Sequence, residues 1–190
     1  MARIVIFVSG SGSNAENIIQ YFENDTRVTI AAILSNNRKA GIWNRECMQH
    51  TSGITFNRTS FYKTEHILKL LKGIDPDLIV LAGFLWKFPE NLLQAFPNKV
   101  INIHPALLPK YGGKGMYGMH IHNEVIKNKE KETGITIHFV NEQYDEGKII
   151  FQKSIEITPE DTPDSVAKRI HQLEYAHFPV IIEKLLYGTI

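Results

Sequence analysis

The order in which apolar segments alternate constrains this chain more than any other feature. Short runs rich in β-branched residues, Ile4–Val8, Thr29–Leu34, Ile54–Phe56, Leu78–Ala82 and Val100–Ile103, are separated by stretches of helical spacing, Ala15–Glu23, Ala40–His50, Thr64–Leu71 and Pro89–Phe96. Runs that are apolar throughout belong to strands covered on both faces, and strand–helix alternation brings successive strands together in parallel. The chain is therefore expected to be α/β, with an open, mostly parallel twisted sheet and helices on both faces. After Val100–His104 the pattern changes: a Pro/Gly-rich stretch, Pro105–Gly118, precedes a helix-like Met119–Lys129. Two strand-like segments, Gly134–Val140 and Lys148–Ile157, are separated by Asn141–Gly147 alone, which predicts a C-terminal antiparallel hairpin. The tail, Pro163–Tyr187, carries Val166, Ile170, Leu173, Val180, Ile181 and Leu185 near one helical face. It is expected to be one long helix starting at Thr162-Pro163 and kinked or interrupted near Pro179.

A length of 190 residues suits a single domain spanning 1–190. Lys and Arg number 21 against 20 Asp and Glu, and 43% of residues are hydrophobic, so a disordered chain or a general polyanion binder is excluded and no nucleic-acid partner is expected. The single cysteine, Cys47, rules out an intramolecular disulfide framework and a thiolate zinc site, and fits a reducing, cytoplasmic setting. The most apolar run, Leu78–Trp86, is strand-sized and meets Lys87 and Pro89, well short of the roughly 18 to 20 residues of a membrane span, so no membrane partner is expected. The mixed-sign run Lys127–Glu132 is read as a solvated helix end.

Three constellations carry possible chemistry. Ser9-Gly10-Ser11-Gly12-Ser13-Asn14-Ala15 joins the first strand to the first helix, where glycines permit a tight turn and helix-start amides attract an anion. Three readings stay open there: a phosphate site, a G-x-G-x-x-A dinucleotide site, and a plain turn with Ser13 or Asn14 as N-cap. The second strand ends at Ser35-Asn36-Asn37-Arg38, with no acidic residue for an NAD ribose but with Arg38 compatible with NADP. In Asn102-Ile103-His104-Pro105-Ala106-Leu107-Leu108-Pro109, the strand period of two puts Asn102 and His104 on one face near the carboxyl end of a strand, where open parallel sheets place ligands. An amide donor beside an imidazole suits oxyanion stabilisation and proton handling. Asp145-Glu146-Gly147, the third, is by itself ordinary turn chemistry. His120 and His122 lack a carboxylate or thiol to complete a ligand set, so no metal is expected and a helix-start or pocket role is assigned to them.

Gly12-Ser13-Asn14, the Asn102–Pro109 segment, and Thr133-Gly134-Ile135-Thr136-Ile137-His138-Phe139-Val140 followed by Asp145-Glu146-Gly147 together resemble the phosphoribosylglycinamide formyltransferase family, folate-dependent enzymes of purine synthesis. The resemblance runs along nearly the whole chain and implies a Rossmann-like formyltransferase fold. It implies that Asn102, His104 and Asp145 are catalytic, that Gly12, Ser13 and Asn14 hold a substrate phosphate with Pro105 nearby, and that Glu174 meets ribose hydroxyls. The main chain of Leu85, Trp86, Lys87 and Phe88 and of the segment containing Asn141, Glu142 and Asp145 would clasp the pteridine ring of 10-formyltetrahydrofolate, with Asn102 beside it. Trp86 stands where Arg is often found, His171 where relatives carry Gln or Lys, and Lys110–Gly118 is longer than in many relatives. Its glycines suggest a mobile cover.

The implied reaction moves a formyl group from 10-formyltetrahydrofolate to the amine of glycinamide ribonucleotide, with small molecules as the partners and a monomer or homodimer as the assembly. The alternatives are a methionyl-tRNA formyltransferase, for which an RNA-gripping platform is missing, a 10-formyltetrahydrofolate hydrolase, and an NADP oxidoreductase built on Gly10–Ala15.

Overall fold

The computed structural model describes residues 1–190. A seven-stranded sheet is built from β1 (Ala2–Val8), β2 (Val28–Ser35), β3 (Gly53–Thr55), β4 (Leu78–Leu81), β5 (Val100–His104), β6 (Glu132–Phe139) and β7 (Ile149–Glu156), in spatial order β3-β2-β1-β4-β5-β6-β7. The first five strands pair in parallel, and β6 is antiparallel to both β5 and β7. The expected hairpin is therefore present. Periodicity did not disclose that its first strand also pairs with β5, setting Asn102 opposite His138 and His104 opposite Thr136.

β1 shows why both faces are covered. Ile4, Ile6 and Val8 enter the core beneath α1 (Ser13–Phe22) and α6 (Pro163–Leu186), while Val5 and Phe7 enter the core beneath α2 (Arg58–Tyr62), α3 (His66–Ile74) and α4 (Glu90–Ala95). All five are fully buried, and each such side chain contributes about 1.5–3 kcal/mol of apolar transfer free energy. The second core is aromatic, with Phe7 edge-on to Phe56, Phe84 and Phe88 at centroid separations of 5.8, 5.3 and 5.4 Å. A smaller cluster of Ala106, Ile121 and Val125 seats α5 (Met119–Lys127).

Local expectations fail where a side chain or the backbone overrides periodicity. Ala40–His50 is not one helix but two 3₁₀ turns, Gly41–Asn44 and Glu46–Gln49, split at Arg45. Arg45 is extended (φ −89°, ψ 145°), its Nε donates to the Ser11 carbonyl at 2.7 Å and its guanidinium pairs with Glu16, so it is fixed to the first loop. The helix expected at Thr64–Leu71 is α3, which starts slightly later, at His66, and runs on to Ile74. The separate short helix α2 before it was not expected and is started by the reciprocal capping box of Asn57 and Ser60. α6 runs uninterrupted through Pro179. Proline removes the amide that would have bonded the carbonyl four residues back, and Asn17 Nδ2 from α1 donates to that Tyr175 carbonyl instead, at 3.0 Å. Neither Ser13 nor Asn14 caps α1: Gly12 occupies the N-cap in the left-handed region (φ 72°) and no side chain caps the first turn. A Cβ at Gly12 would lie 2.5 Å from Ile42, so only glycine fits.

β1 lies between β2 and β4, so the chain leaves β1 toward one side and β4 toward the other. That reversal opens a crevice at the carboxyl ends of β1 and β4.

Candidate active site

The loops after β1, β4 and β5 converge above this crevice. Ser9 ties two of them together: its amide donates to the Gly83 carbonyl at 3.1 Å, and its hydroxyl accepts from the Leu85 amide at 2.9 Å. The cavity they enclose has a volume of about 580 Å³, within the usual range for a small-molecule site. Gly10–Asn14 line one end together with His122, His171 and Glu174, and Asn102, His104, Pro105, Tyr144 and Asp145 line the centre.

The polar residues at the centre are linked through the sheet register. His138 directs Nδ1 at the Phe139 carbonyl (2.9 Å), which places its ring proton there and leaves Nε2 to accept from Asn102 Nδ2 at 3.1 Å. Burial depresses the basicity of His138, followed by the opposing effects of the Phe139 carbonyl and Asp145, so the neutral acceptor form is the one the site favours. His104 is buried and its Nε2 donates to the Tyr111 carbonyl at 2.7 Å, because a carbonyl can only accept. Its Nδ1 consequently faces Asp145, 3.6 Å from Oδ2.

Asp145 is held from several directions. Its Oδ2 accepts from the Gly113 amide at 2.9 Å, its Oδ1 lies 3.7 Å from His138 Nε2, and its backbone is left-handed (φ 56°). Two residues on, Gly147 passes so close to β6 that a Cβ would fall inside the Phe139 carbonyl. The Asp-Glu-Gly turn therefore has a steric cause as well as a position in the site. At the other end, Glu174 is buried and accepts from Asn14 Nδ2 at 2.9 Å. Burial raises its carboxyl to about 7, against the lowering effect of Asn14.

A side pocket of about 60 Å³ opens beside the centre, sharing Phe84, Leu85, Asn102, Tyr144 and Asp145 with the main cavity and adding Trp86, Lys87, Phe88, His138 and Asn141. Glu142 is exposed and lines neither space. Trp86 turns into the aromatic layer, stacked on Tyr62 at 5.9 Å with Arg58 over its face at 4.8 Å, and Phe88 is buried. These side chains support the loop, and residues Leu85–Phe88 border the side pocket. Part of the loop's backbone is already engaged, since the Leu85 amide donates to Ser9 and the Lys87 carbonyl accepts from the Tyr62 hydroxyl at 2.9 Å. No group of three or more His, Cys, Asp and Glu side chains is arranged to hold a metal ion.

An amide, an imidazole and a carboxylate at the centre of a cavity whose far end is a helix start can stabilise an oxyanion, move a proton and hold an anion. A match to formyl transferases spans residues 2–182. The chain belongs to the formyl transferase family. Phosphoribosylglycinamide formyltransferase of Bacillus subtilis is 35% identical over 191 residues, which cover 98% of this chain and 95% of the relative. The chloroplastic enzyme of that name from Arabidopsis thaliana is 32% identical over 186 residues, 95% of this chain, and the match covers 64% of the relative's own length. The crystal structure of phosphoribosylglycinamide formyltransferase from Bacillus halodurans superposes with a TM-score of 0.86 at 31% identity, covering 99% of this chain and 97% of that one. As in that solved structure, the fold is a formyltransferase α/β sheet ending in antiparallel strands and a long helix.

Of the residues singled out in the sequence of this formyltransferase, all those named for catalysis and for phosphate and ribose line the one cavity. His138, the Tyr111 carbonyl and the Gly113 amide carried no assigned role. The signal for His138 was its strand position within Thr133–Val140, which became legible only once β6 was known to pair with β5.

Proposed function

We propose that this formyltransferase transfers the formyl group of 10-formyltetrahydrofolate to the amine of glycinamide ribonucleotide. The observation that carries the reading is that Asn102, His104 and Asp145 line one cavity with a helix start suited to a phosphate, and that Asn102 and Asp145 also border the side pocket formed by the loop after β4. Gly12, Ser13 and Asn14 would receive the phosphate, Glu174 the ribose hydroxyls, and Pro105 would border the glycinamide arm. The main chain at Leu85–Phe88 and Asn141–Asp145 would hold the folate ring.

The reacting carbonyl then sits near the Asn102 amide, which His138 orients by accepting one of its protons. As the neutral amine attacks, negative charge grows on the formyl oxygen, and Asn102 and protonated His104 donate to it. The His104 Nε2 proton is bonded to the Tyr111 carbonyl, so that carbonyl must move aside for this proton to serve the oxyanion. Lys110–Gly118 supplies the freedom for this, with Gly113, Gly115 and Gly118 at φ of 94°, 92° and 54°. Asp145 stabilises the imidazolium and relays the proton that the attacking nitrogen releases, directly or through water, to the folate nitrogen as its bond to the formyl carbon breaks.

A single Cys47 and the lack of any helix long and apolar enough to cross a membrane fit action on small molecules in a reducing cytoplasm. The test is acceptor-dependent turnover. Tetrahydrofolate should appear from 10-formyltetrahydrofolate when glycinamide ribonucleotide is present, together with the formylated ribonucleotide. Equal consumption without the ribonucleotide, with release of formate, would assign a hydrolase instead.

A further inference from the structure

The phosphate end of the cavity is short of positive charge. Lys114 is the one Lys or Arg that lines the whole space, whereas Asp145 and Glu174 are both present. A phosphate monoester carries about −1.5 to −2 charges at neutral pH, and the amides at a helix start offset only about half a unit. Buried anions are held where a counter-charge accompanies them.

His122 and His171 stand where that counter-charge is needed. His122, on α5, is 2% exposed, lines the cavity, and has a ring nitrogen, Nδ1, with no hydrogen-bond partner. His171, on α6, lines the same end and stacks on Tyr175 at 6.2 Å. Around the pair, α1 contributes the uncharged Asn14, α6 contributes Glu174 and Tyr175, the loop before α5 contributes Lys114, β6 contributes apolar Ile135 and Ile137 to the core beneath α6, and His104 and Asp145 line the centre of the cavity. Asn14 Oδ1 is a second buried atom without a partner, so the end is polar and incompletely satisfied.

We propose that His122 and His171 form a proton-accepting pair that supplies the cation for the phosphate of the acceptor substrate, so that the ribonucleotide binds with uptake of a proton. This rests on the acceptor reading above. Burial lowers His122 to about 4, with His171 nearby adding to the effect, and partial desolvation lowers the more exposed His171 as well, so neither ring favours its charged form on its own. A phosphate against the rings reverses the balance, because an adjacent anion favours the charged imidazole. Since charge on one ring disfavours charge on the other, the pair takes one proton, and the more exposed His171 is the ring that holds it. Affinity is then greatest at low pH and is lost as pH rises through the value of the pair in the complex.

Calorimetric titration of glycinamide ribonucleotide into the protein, in two buffers of different ionisation enthalpy near pH 7.5, measures the proton directly. The wild type should take up roughly half to one proton, and its Kd should weaken about tenfold from about pH 6.5 to 8.5. His171→Gln combined with His122→Asn should remove the uptake and flatten the pH dependence. Because the double variant removes a buried side chain, His171→Gln alone, with histidine Cε1–H titration by NMR with and without ribonucleotide, provides a second measurement: a wild-type resonance that titrates higher in the complex should disappear. Binding without uptake, or uptake that survives in the double variant and so belongs to another group, overturns this inference and leaves the acceptor reading standing. Failure of the ribonucleotide to bind the wild type overturns both.

Discussion

His104 owes its orientation to two backbone features rather than to its own rotamer. β5 places it at the strand end, and the left-handed Tyr111 presents a carbonyl to Nε2, leaving Nδ1 toward Asp145. His104→Ala should lower turnover ~10²-fold or more with little change in ribonucleotide affinity, because the donor acts mainly on charge that develops in the transition state. Asp145→Asn should do the same, since it keeps the shape and removes the charge facing the imidazole; steady-state kcat beside a binding titration separates the two effects. Glu174 makes a different prediction. Its carboxyl is raised from about 4.5 to about 7 by burial, so the folded state retains a proton that the unfolded chain has lost. Stability from this group is fully present below about pH 4.5 and is lost as pH rises through about 7. Glu174→Gln should therefore unfold at a higher temperature than the wild type at about pH 8, show little difference at about pH 4, and bind the ribonucleotide more weakly; thermal melts across pH decide it. At this scale Asn102 and His104 were legible because the period of two puts both on one face. Asp145 looked like turn chemistry until it stood in order with the other motifs. His138 gave little sign, because the partner that explains it lies 36 residues away.

The elements were legible to different degrees for a physical reason. Strands enclosed on both faces, such as Val5–Val8 and Leu78–Leu81, advertise themselves by unbroken apolar composition, and the β6–β7 hairpin by its short connection. The segment after β2 did not, because what breaks it is the long-range attachment of Arg45 to Ser11 and Glu16, which no local pattern encodes. α6 shows the converse. A proline inside a helix ordinarily predicts a kink or an end, yet Asn17 from α1 satisfies the carbonyl that Pro179 strands, so tertiary structure repairs what the local rule would break. Asn17→Ala should leave the Tyr175 carbonyl without its donor at a part-buried position and cost about 1–2 kcal/mol. Asn17→Asp, which retains the size but cannot donate, should cost at least as much. Chemical denaturation measures both, and an unchanged midpoint for Asn17→Ala would show that the bond contributes nothing to the junction of α1 and α6.

At the scale of the whole molecule, two half-sheets meet at the β1–β4 boundary, and the topology assigns them different work. The β1 side brings a helix start, the β4 side the Gly83–Phe88 loop, and β5 brings Asn102 and His104 to the same cavity. Nothing in that arrangement requires a long polyanion. With 21 basic against 20 acidic residues and a formal charge of +1, the molecule lacks the positive surplus that grips a nucleic-acid backbone. The groups proposed as catalytic would by themselves serve formyl transfer to many amines, so on that proposal the choice of acceptor falls to the cavity and to net charge. Proteins that neutralise six to ten phosphates lose about 10³- to 10⁵-fold in affinity between about 50 and 200 mM salt. A single phosphate seated in an enclosed cavity loses far less, because few counterions are released and the contact is shielded from them. The KM for glycinamide ribonucleotide should therefore rise less than about tenfold over that salt range. Methionyl-tRNA should remain unformylated even at the low-salt end, where long-range attraction is strongest. Formylation of the tRNA at low salt, collapsing as salt is added, would show that an extended basic surface, and not the helix start at Gly12–Asn14, selects the acceptor.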